Sequence, residues 1–257
     1  MMEQALFTTG VGLFMRFEYL TSLHMLKENR PDWSDNKRRL FAVRVVSLTH
    51  ALVSSILVVI SLAINNAYVT QPVEYSSYAA QYVFLWSMGY FIYDLFDMIY
   101  HGEASSSKEY LVHHTLVITC FSIIMYTGTL MGFAMIALLV EVQTVLMHSR
   151  SLLHLAGYAK TPAFRLLVSA NMTCLFLFRH IPITYLIYFL SLRDDKVNIV
   201  LKAALVGGLS FIEYHNIHLT AAMYKADGLF GGRVTDLDED EVDPLGAVKK
   251  EAKDKST

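Results

Sequence analysis

Apolar residues fall into long runs separated by short polar stretches. The runs are Leu40–Ile64, Tyr78–Tyr100, Leu111–Tyr126, Met131–His148, Phe164–Leu190 and Val197–Tyr224. Each approaches or exceeds the roughly 20 mainly apolar residues that carry a helix across a bilayer. An earlier run, Glu3–Leu23, is interrupted by Arg16 and Glu18. No sheet-like alternation recurs, which argues against a barrel. Backbone groups in hydrocarbon must bond within their own segment. The pattern therefore predicts an all-α, polytopic membrane helical bundle of about six to seven spans.

The first run has no basic stretch ahead of it and no convincing small-residue cleavage site, so it reads as a retained signal-anchor or first span. The organisation expected is residues 1–39 as that span plus a basic loop, 40–225 as the membrane domain, and 226–257 as a disordered cytoplasmic tail. The tail is acidic at Asp236, Asp238, Glu239, Asp240, Glu241 and Asp243, then lysine-rich, with few apolar groups to bury.

Loop charge sets the orientation. Lys27, Arg30, Lys37, Arg38 and Arg39 lie between the first two runs, whereas residues 65–77 contain no Lys or Arg. Later loops alternate in the same way, so the basic set is expected in the cytosol and the N-terminus on the outer or luminal side. The ending Lys253-Asp254-Lys255-Ser256-Thr257 fits a dilysine-type endoplasmic reticulum retrieval pattern.

Composition agrees. Apolar residues make up 54% of the 257, and Asp, Glu, Lys and Arg only 17%, against about 25% charged in soluble domains. That excludes an ordinary cytosolic enzyme, a disordered chain and a collagen. A net charge of −2 gives no basic field for nucleic acid. Cys120 and Cys174 sit inside apolar runs and do not form a disulfide framework. Asn171-Met172-Thr173 lies within a span and is no glycan site.

Ionisable side chains inside a membrane cost roughly 2.5–3.5 kcal/mol at the centre of a helix, so each is a candidate for function. Asp94 and Asp97, three residues apart, share a helix face. They suit a base, a partner that tunes a histidine, or solvated helix-end carboxylates. His113 and His114 are adjacent and diverge by about 100°. One can serve as base or nucleophile while the other orients it or packs. A metal site would need further ligands, and none is expected. Glu141 stands in an apolar stretch and needs a partner. Arg179 can pair with it, or bind a phosphate or an acyl carboxylate. Pro182 should kink the chain beside Arg179. Glu213, His215 and His218 lie on the last run, and Arg44 and His50 on the second.

Gly89-Tyr90-Phe91-Ile92-Tyr93-Asp94-Leu95-Phe96-Asp97 followed by Tyr110-Leu111-Val112-His113-His114 resembles the core of the TLC (TRAM–Lag–CLN) domain. The likeness continues through Leu138-Leu139-Val140-Glu141-Val142 and Asn171 to Phe176-Leu177-Phe178-Arg179, over about residues 40–224. Within that family the chain is most similar to the small group associated with control of phospholipid composition and membrane fluidity. The Leu-Val-Glu-Val and Phe-Leu-Phe-Arg stretches, with Ser47-Leu48-Thr49-His50, carry this likeness. The resemblance implies limited incorporation of polyunsaturated chains into phospholipids, a plasma-membrane location, and phospholipids, acyl chains or a lipid-remodelling enzyme as partners.

Ceramide synthases of the wider family join fatty acyl-CoA to a sphingoid amine, and a pair corresponding to His113 and His114 is implicated. Their two downstream Asp residues correspond to Glu141 and Thr144 here, a departure that sets this chain apart from ceramide synthesis. Two readings follow. One is a regulator that binds lipid, with Glu141, Arg179, Glu213 and His50 as a lipid-binding or structural polar network. The other is an acyltransferase with His113, His114, Asp94 and Asp97 as catalytic candidates, and acyl-CoA only as co-substrate. No resident cofactor is expected, and the oligomeric state is left open. A His and an Asp facing one enclosed cavity would favour catalysis. Histidines splayed to the surface would favour regulation.

Overall fold

The computed structural model describes residues 2–103, 108–192 and 197–226, and within them every regular element is a helix. They are α1 (Met2–Asn29), α2 (Asp35–Ile64), α3 (Ala67–Thr70), α4 (Tyr78–Tyr100), α5 (Lys108–Thr127), α6 (Met131–Ala137), α7 (Val140–Leu155), α8 (Pro162–Leu175), α9 (Ile181–Leu192) and α10 (Ile199–Ala226). The tail from residue 227, with its terminal lysine pattern, lies outside the described residues, as do the loop charges at 193–196.

Four helical stretches are long and apolar enough to cross a membrane: Asp35–Ile64, Tyr110–Thr127, Met131–Leu155 and Pro162–Leu192. The expected count of six to seven is not reached on that standard. The other long helices have the length: α4, at 23 residues, extends about 34 Å. What they lack is hydropathy. Arg16 and Glu18 interrupt α1, α4 is rich in tyrosine and ends in Asp94 and Asp97, and α10 carries Lys202, Glu213 and two histidines. Their outer faces are nonetheless apolar, with Leu6, Leu13 and Phe17 of α1 exposed.

The ends of the helices are written locally. Ser34, Ser77 and Thr161 each cap a helix start by accepting a hydrogen bond from the backbone N–H three residues on. Pro162 follows Thr161 at a position where its missing N–H costs nothing. Gly157, with φ +88°, ends α7 in the left-handed conformation that glycine adopts freely. In the basic loop the Trp33 ring lies between the Arg30 guanidinium (4.2 Å) and the Lys37 ammonium (4.7 Å). Arg30 also sits beside Asp32 and holds its carboxyl below the ordinary value.

Two expected helices are interrupted, and both breaks bear on the site. The run Met131–His148 bends at Leu138–Leu139, where Leu139, Glu141 and Val142 bond three residues back instead of four. Glu141 thereby starts a new helix, with its carboxylate in the first turn of α7, where the helix dipole favours negative charge. The expected kink before Pro182 takes the form of a π-helical turn, Phe176–His180, closed by Ile181 N–H donating to the Phe176 carbonyl five residues back.

The helices pack α1 against α4 and α2, and α2 against α7. The core includes Met15, Val46, Phe84, Met131, Met135 and Leu186. Gly132 allows the start of α6 to press on the segment after α2: a Cβ there would lie 2.3 Å from the Tyr68 carbonyl oxygen and 2.6 Å from Pro72 Cα. Both neighbours are backbone and cannot swing away. Gly132→Ala is expected to cost at least the 1–3 kcal/mol or so typical of overpacking. It should lower the thermal unfolding midpoint in detergent, whereas Gly207→Ala, with nothing within 4 Å of the new Cβ, should not.

Candidate functional site

Two cavities sit in the bundle, and they share a wall. The first, about 170 Å³, gathers charged side chains among apolar ones and is framed by α2, α4, α5, α7 and α10, with Arg179 from the π turn. It has room for several waters or a small polar group. Its charged and polar lining includes Arg44, His50, Asp94, Asp97, His113, His114, Glu141, His148, Arg150, Arg179 and His215. The second is almost wholly apolar and runs between α5, α6, α9 and α10, past Leu116, Phe121, Phe133, Leu186 and Leu205. Phe91, His113, Val140, Glu141 and Ile212 line both. One histidine and one carboxylate therefore stand where the polar and apolar spaces adjoin.

The angle between adjacent helical residues divides the two histidines. His114 is buried and turns to α4, where its Nδ1 lies 3.4 Å from Asp94 Oδ2. That is close enough for electrostatic attraction but outside hydrogen-bond geometry, and Nδ1 has no hydrogen-bond partner. His113 also faces the polar space but reaches the apolar cavity as well. The Phe91 ring packs against both, with centroids 6.2 Å from His113 and 5.1 Å from His114.

The two aspartates separate. Asp97 accepts a hydrogen bond from Arg39 Nη2 at 3.1 Å and faces Arg16 at 3.6 Å and His101 at 3.4 Å. Arg39 continues to Glu103. Asp97 touches the polar chamber, but it is the knot that ties the middle of α1 and the start of α2 to the end of α4. Asp94, one turn deeper, faces His114 instead.

Glu141 is buried, and its Oε2 has no hydrogen-bond partner; His50 Nδ1 is 3.9 Å away. His50 is fixed in place. Its ring stacks on Tyr90 at 3.9 Å and 9°, and its Nε2 lies 3.1 Å from Ser54 Oγ. Tyr90 in turn donates to Ser47.

Arg179 and Glu141 attract each other by charge, as the sequence suggested, but no direct hydrogen bond joins them. Its guanidinium donates to Asn216 Oδ1 (3.1 Å) and Thr144 Oγ1 (3.0 Å). Thr144, which the resemblance matches to a lost carboxylate, lies one turn beyond Glu141 and so holds the arginine beside it. The π turn explains how consecutive residues Arg179 and His180 both meet α10: the extra residue in the turn changes their relative angle. His180 Nδ1 lies 2.5 Å from Glu213 Oε1, and its Nε2 lies 2.9 Å from Thr220 Oγ1. Glu213 also accepts from Asn216. It thus belongs to this bracing network and not to the chamber wall.

Sequence reasoning passed over His148, Asn216 and the bracing role of His180. His148 was detectable, because Glu141, Thr144 and His148 recur at the spacing of one helix face. Asn216 carries no comparable signal, since polar uncharged residues do not stand out in a span. Among the described residues no three His, Cys, Asp or Glu side chains converge to hold a metal ion.

The TLC domain profile matches residues 40–225, the stretch from the start of α2 to the end of α10 that builds both cavities. The chain belongs to the TLC domain family. It is similar to TLC domain-containing protein 2 of Danio rerio, 30% identical over 191 residues, or 74% of this chain and 78% of the relative. It is 32% identical to TLC domain-containing protein 2 of Mus musculus over 164 residues, covering 64% of this chain and 53% of the relative. TLC domain-containing protein 1 of Gallus gallus is 30% identical over 145 residues, 56% and 58% respectively. The match to the mouse and chicken relatives thus spans little more than half their length. This TLC-family chain is an integral membrane protein, with four helical stretches apolar enough to span, and α1 lies ahead of its matched domain.

Proposed function

We propose that this protein regulates the acyl-chain composition of membrane phospholipids, and with it membrane fluidity, by taking an acyl chain into the apolar cavity. The polar end of that lipid lies in the chamber at His113 and Glu141. Its effect is to limit incorporation of polyunsaturated chains, and its site of action is the plasma membrane. The observation that carries this reading is the shared wall: an apolar cavity adjoining a charged one, with His113 and Glu141 on both. That is the shape of an amphiphile, apolar along its tail and polar at one end. Glu141 Oε2, buried without a hydrogen-bond partner, is a costly arrangement in the absence of a donor, and a lipid hydroxyl, amine or amide N–H supplies one.

A second reading, His-dependent acyl transfer from fatty acyl-CoA, is favoured by one specific observation. His114 and Asp94 face one chamber 3.4 Å apart, with His113 at the junction. In that chemistry a neutral His accepts the proton of a hydroxyl or amine nucleophile. The nucleophile forms a bond to the thioester carbonyl carbon, the C–S bond breaks, and the proton passes to the departing thiolate. The products are an ester or amide and free coenzyme A. Asp94 orients His114 and stabilises its imidazolium form, and Arg179 offers charge to a phosphate or headgroup.

The test is the phospholipid acyl-chain profile of cells that lose the protein and then regain it. Loss is expected to raise the polyunsaturated share and re-expression to restore it. An unchanged profile on loss contradicts the proposal.

A further inference from the structure

The backbone of Leu130 is unusual. Among the described residues it is the single non-glycine with a positive φ, at +66°, a conformation that L side chains other than Asn and Asp rarely adopt. It is nevertheless fully buried, at 2% exposure. Two backbone hydrogen bonds fix the turn: Leu130 N–H donates to the Val73 carbonyl at 2.8 Å, and Gly132 N–H to the Pro72 carbonyl at 3.1 Å. Leu130 lies between α5 and α6, and its side chain lines the apolar cavity.

Its position in that cavity is defined by α5. The cavity follows α5 from His113 to Ile124, about 16 Å of helix axis. The chain then turns through residues 128–130, and α6 returns along the same cavity through Phe133 and Ala137. His113 marks the polar end and Leu130 the opposite one, where Leu190 also lines the wall. A leucine held in a glycine-favouring conformation at the far end of a cavity is strain kept at a place where the side chain is needed.

We propose that Leu130 is the floor of the acyl-chain cavity and sets the length of unbranched aliphatic chain that the protein accepts. The inference rests on the lipid-binding reading above and adds to it a residue that determines specificity. Shortening Leu130 lets a longer chain extend, and enlarging it stops the chain earlier. Each methylene moved from water into the cavity strengthens binding by about fourfold, so one two-carbon step along the even-numbered saturated acids changes affinity by roughly fifteenfold.

The experiment uses full-length protein in nanodiscs, with radiolabelled palmitate competed by saturated fatty acids from decanoate to behenate. Leu130→Ala should move the optimal competitor one even-numbered step longer and Leu130→Phe at least one step shorter. Leu130→Gly, which the left-handed backbone favours, stands in for the alanine variant if that variant fails to elute as a single species. Wild-type length preference that survives all of these substitutions overturns the assignment of Leu130 and leaves the lipid-binding reading standing. Wild-type protein that no fatty acid occupies overturns both.

Discussion

Cells in which His113→Ala/His114→Ala replaces the wild-type protein are expected to keep the phospholipid acyl-chain profile of cells lacking it, with the variant at normal abundance and location. Both imidazoles border the polar chamber, yet neither carries a fold-determining bond. His114 Nδ1 has no hydrogen-bond partner, and Phe91, which packs on both rings, keeps its contact with His50. Loss of a general base typically costs 10²–10⁴ in rate, enough to erase an acyl-transfer phenotype. Rescue by the double variant would end the catalytic reading and leave a lipid-binding regulator. Failure to rescue at normal abundance makes the pair required and justifies a direct acyl-transfer assay.

Asp97→Ala is expected to lower thermal stability and cellular abundance sharply, whereas Asp94→Asn should leave both near wild type and impair function. Asp97 is 7% exposed and meets Arg39, Arg16 and His101. Breaking a buried ion pair costs about 3–5 kcal/mol. The lower end applies here, because Arg39 keeps Glu103 and Arg16 is 44% exposed. Asp94 faces His114, and asparagine preserves its size while removing the charge that would stabilise an imidazolium. Unfolding midpoints in detergent, measured with the lipid profile, check both. The reverse pattern, with Asp97→Ala stable and Asp94→Asn unfolded, would contradict the division of roles.

That division was not available from the sequence, where Asp94 and Asp97 are equivalent: three apart on one helix face. What separates them is which arginines arrive, and that depends on how α1 and α2 pack on α4, contacts 58 residues apart in the case of Arg39. By contrast, the different directions of His113 and His114 follow from the helical angle between neighbours and were legible. So was the all-helical bundle, from the apolar runs alone. The break before Glu141 was hidden, because Ala137-Leu138-Leu139-Val140 contains neither glycine nor proline; only the shortened backbone hydrogen bonds reveal it. Pro182 announced a distortion near Arg179 but not its form. An α kink and a π turn both free the chain from the missing N–H, and only the π turn brings Arg179 and His180 together onto α10. Glu141 and Arg179 interact by charge without a direct hydrogen bond, because Asn216 and Thr144 take the guanidinium N–H donors.

Lipid binding as proposed requires that the polar chamber and the apolar cavity together form a single site. The most direct test is photocrosslinking of full-length protein in nanodiscs with a fatty acid carrying a mid-chain diazirine, followed by mass spectrometry of the labelled peptides. Adducts are expected on the cavity face, at residues such as Leu116, Val117 and Cys120 of α5 and Leu205 and Leu209 of α10, and excess unlabelled fatty acid should remove them. Labelling confined to outward residues such as Leu13 and Phe17 of α1 or Ile56 of α2, undiminished by competitor, would contradict the single site.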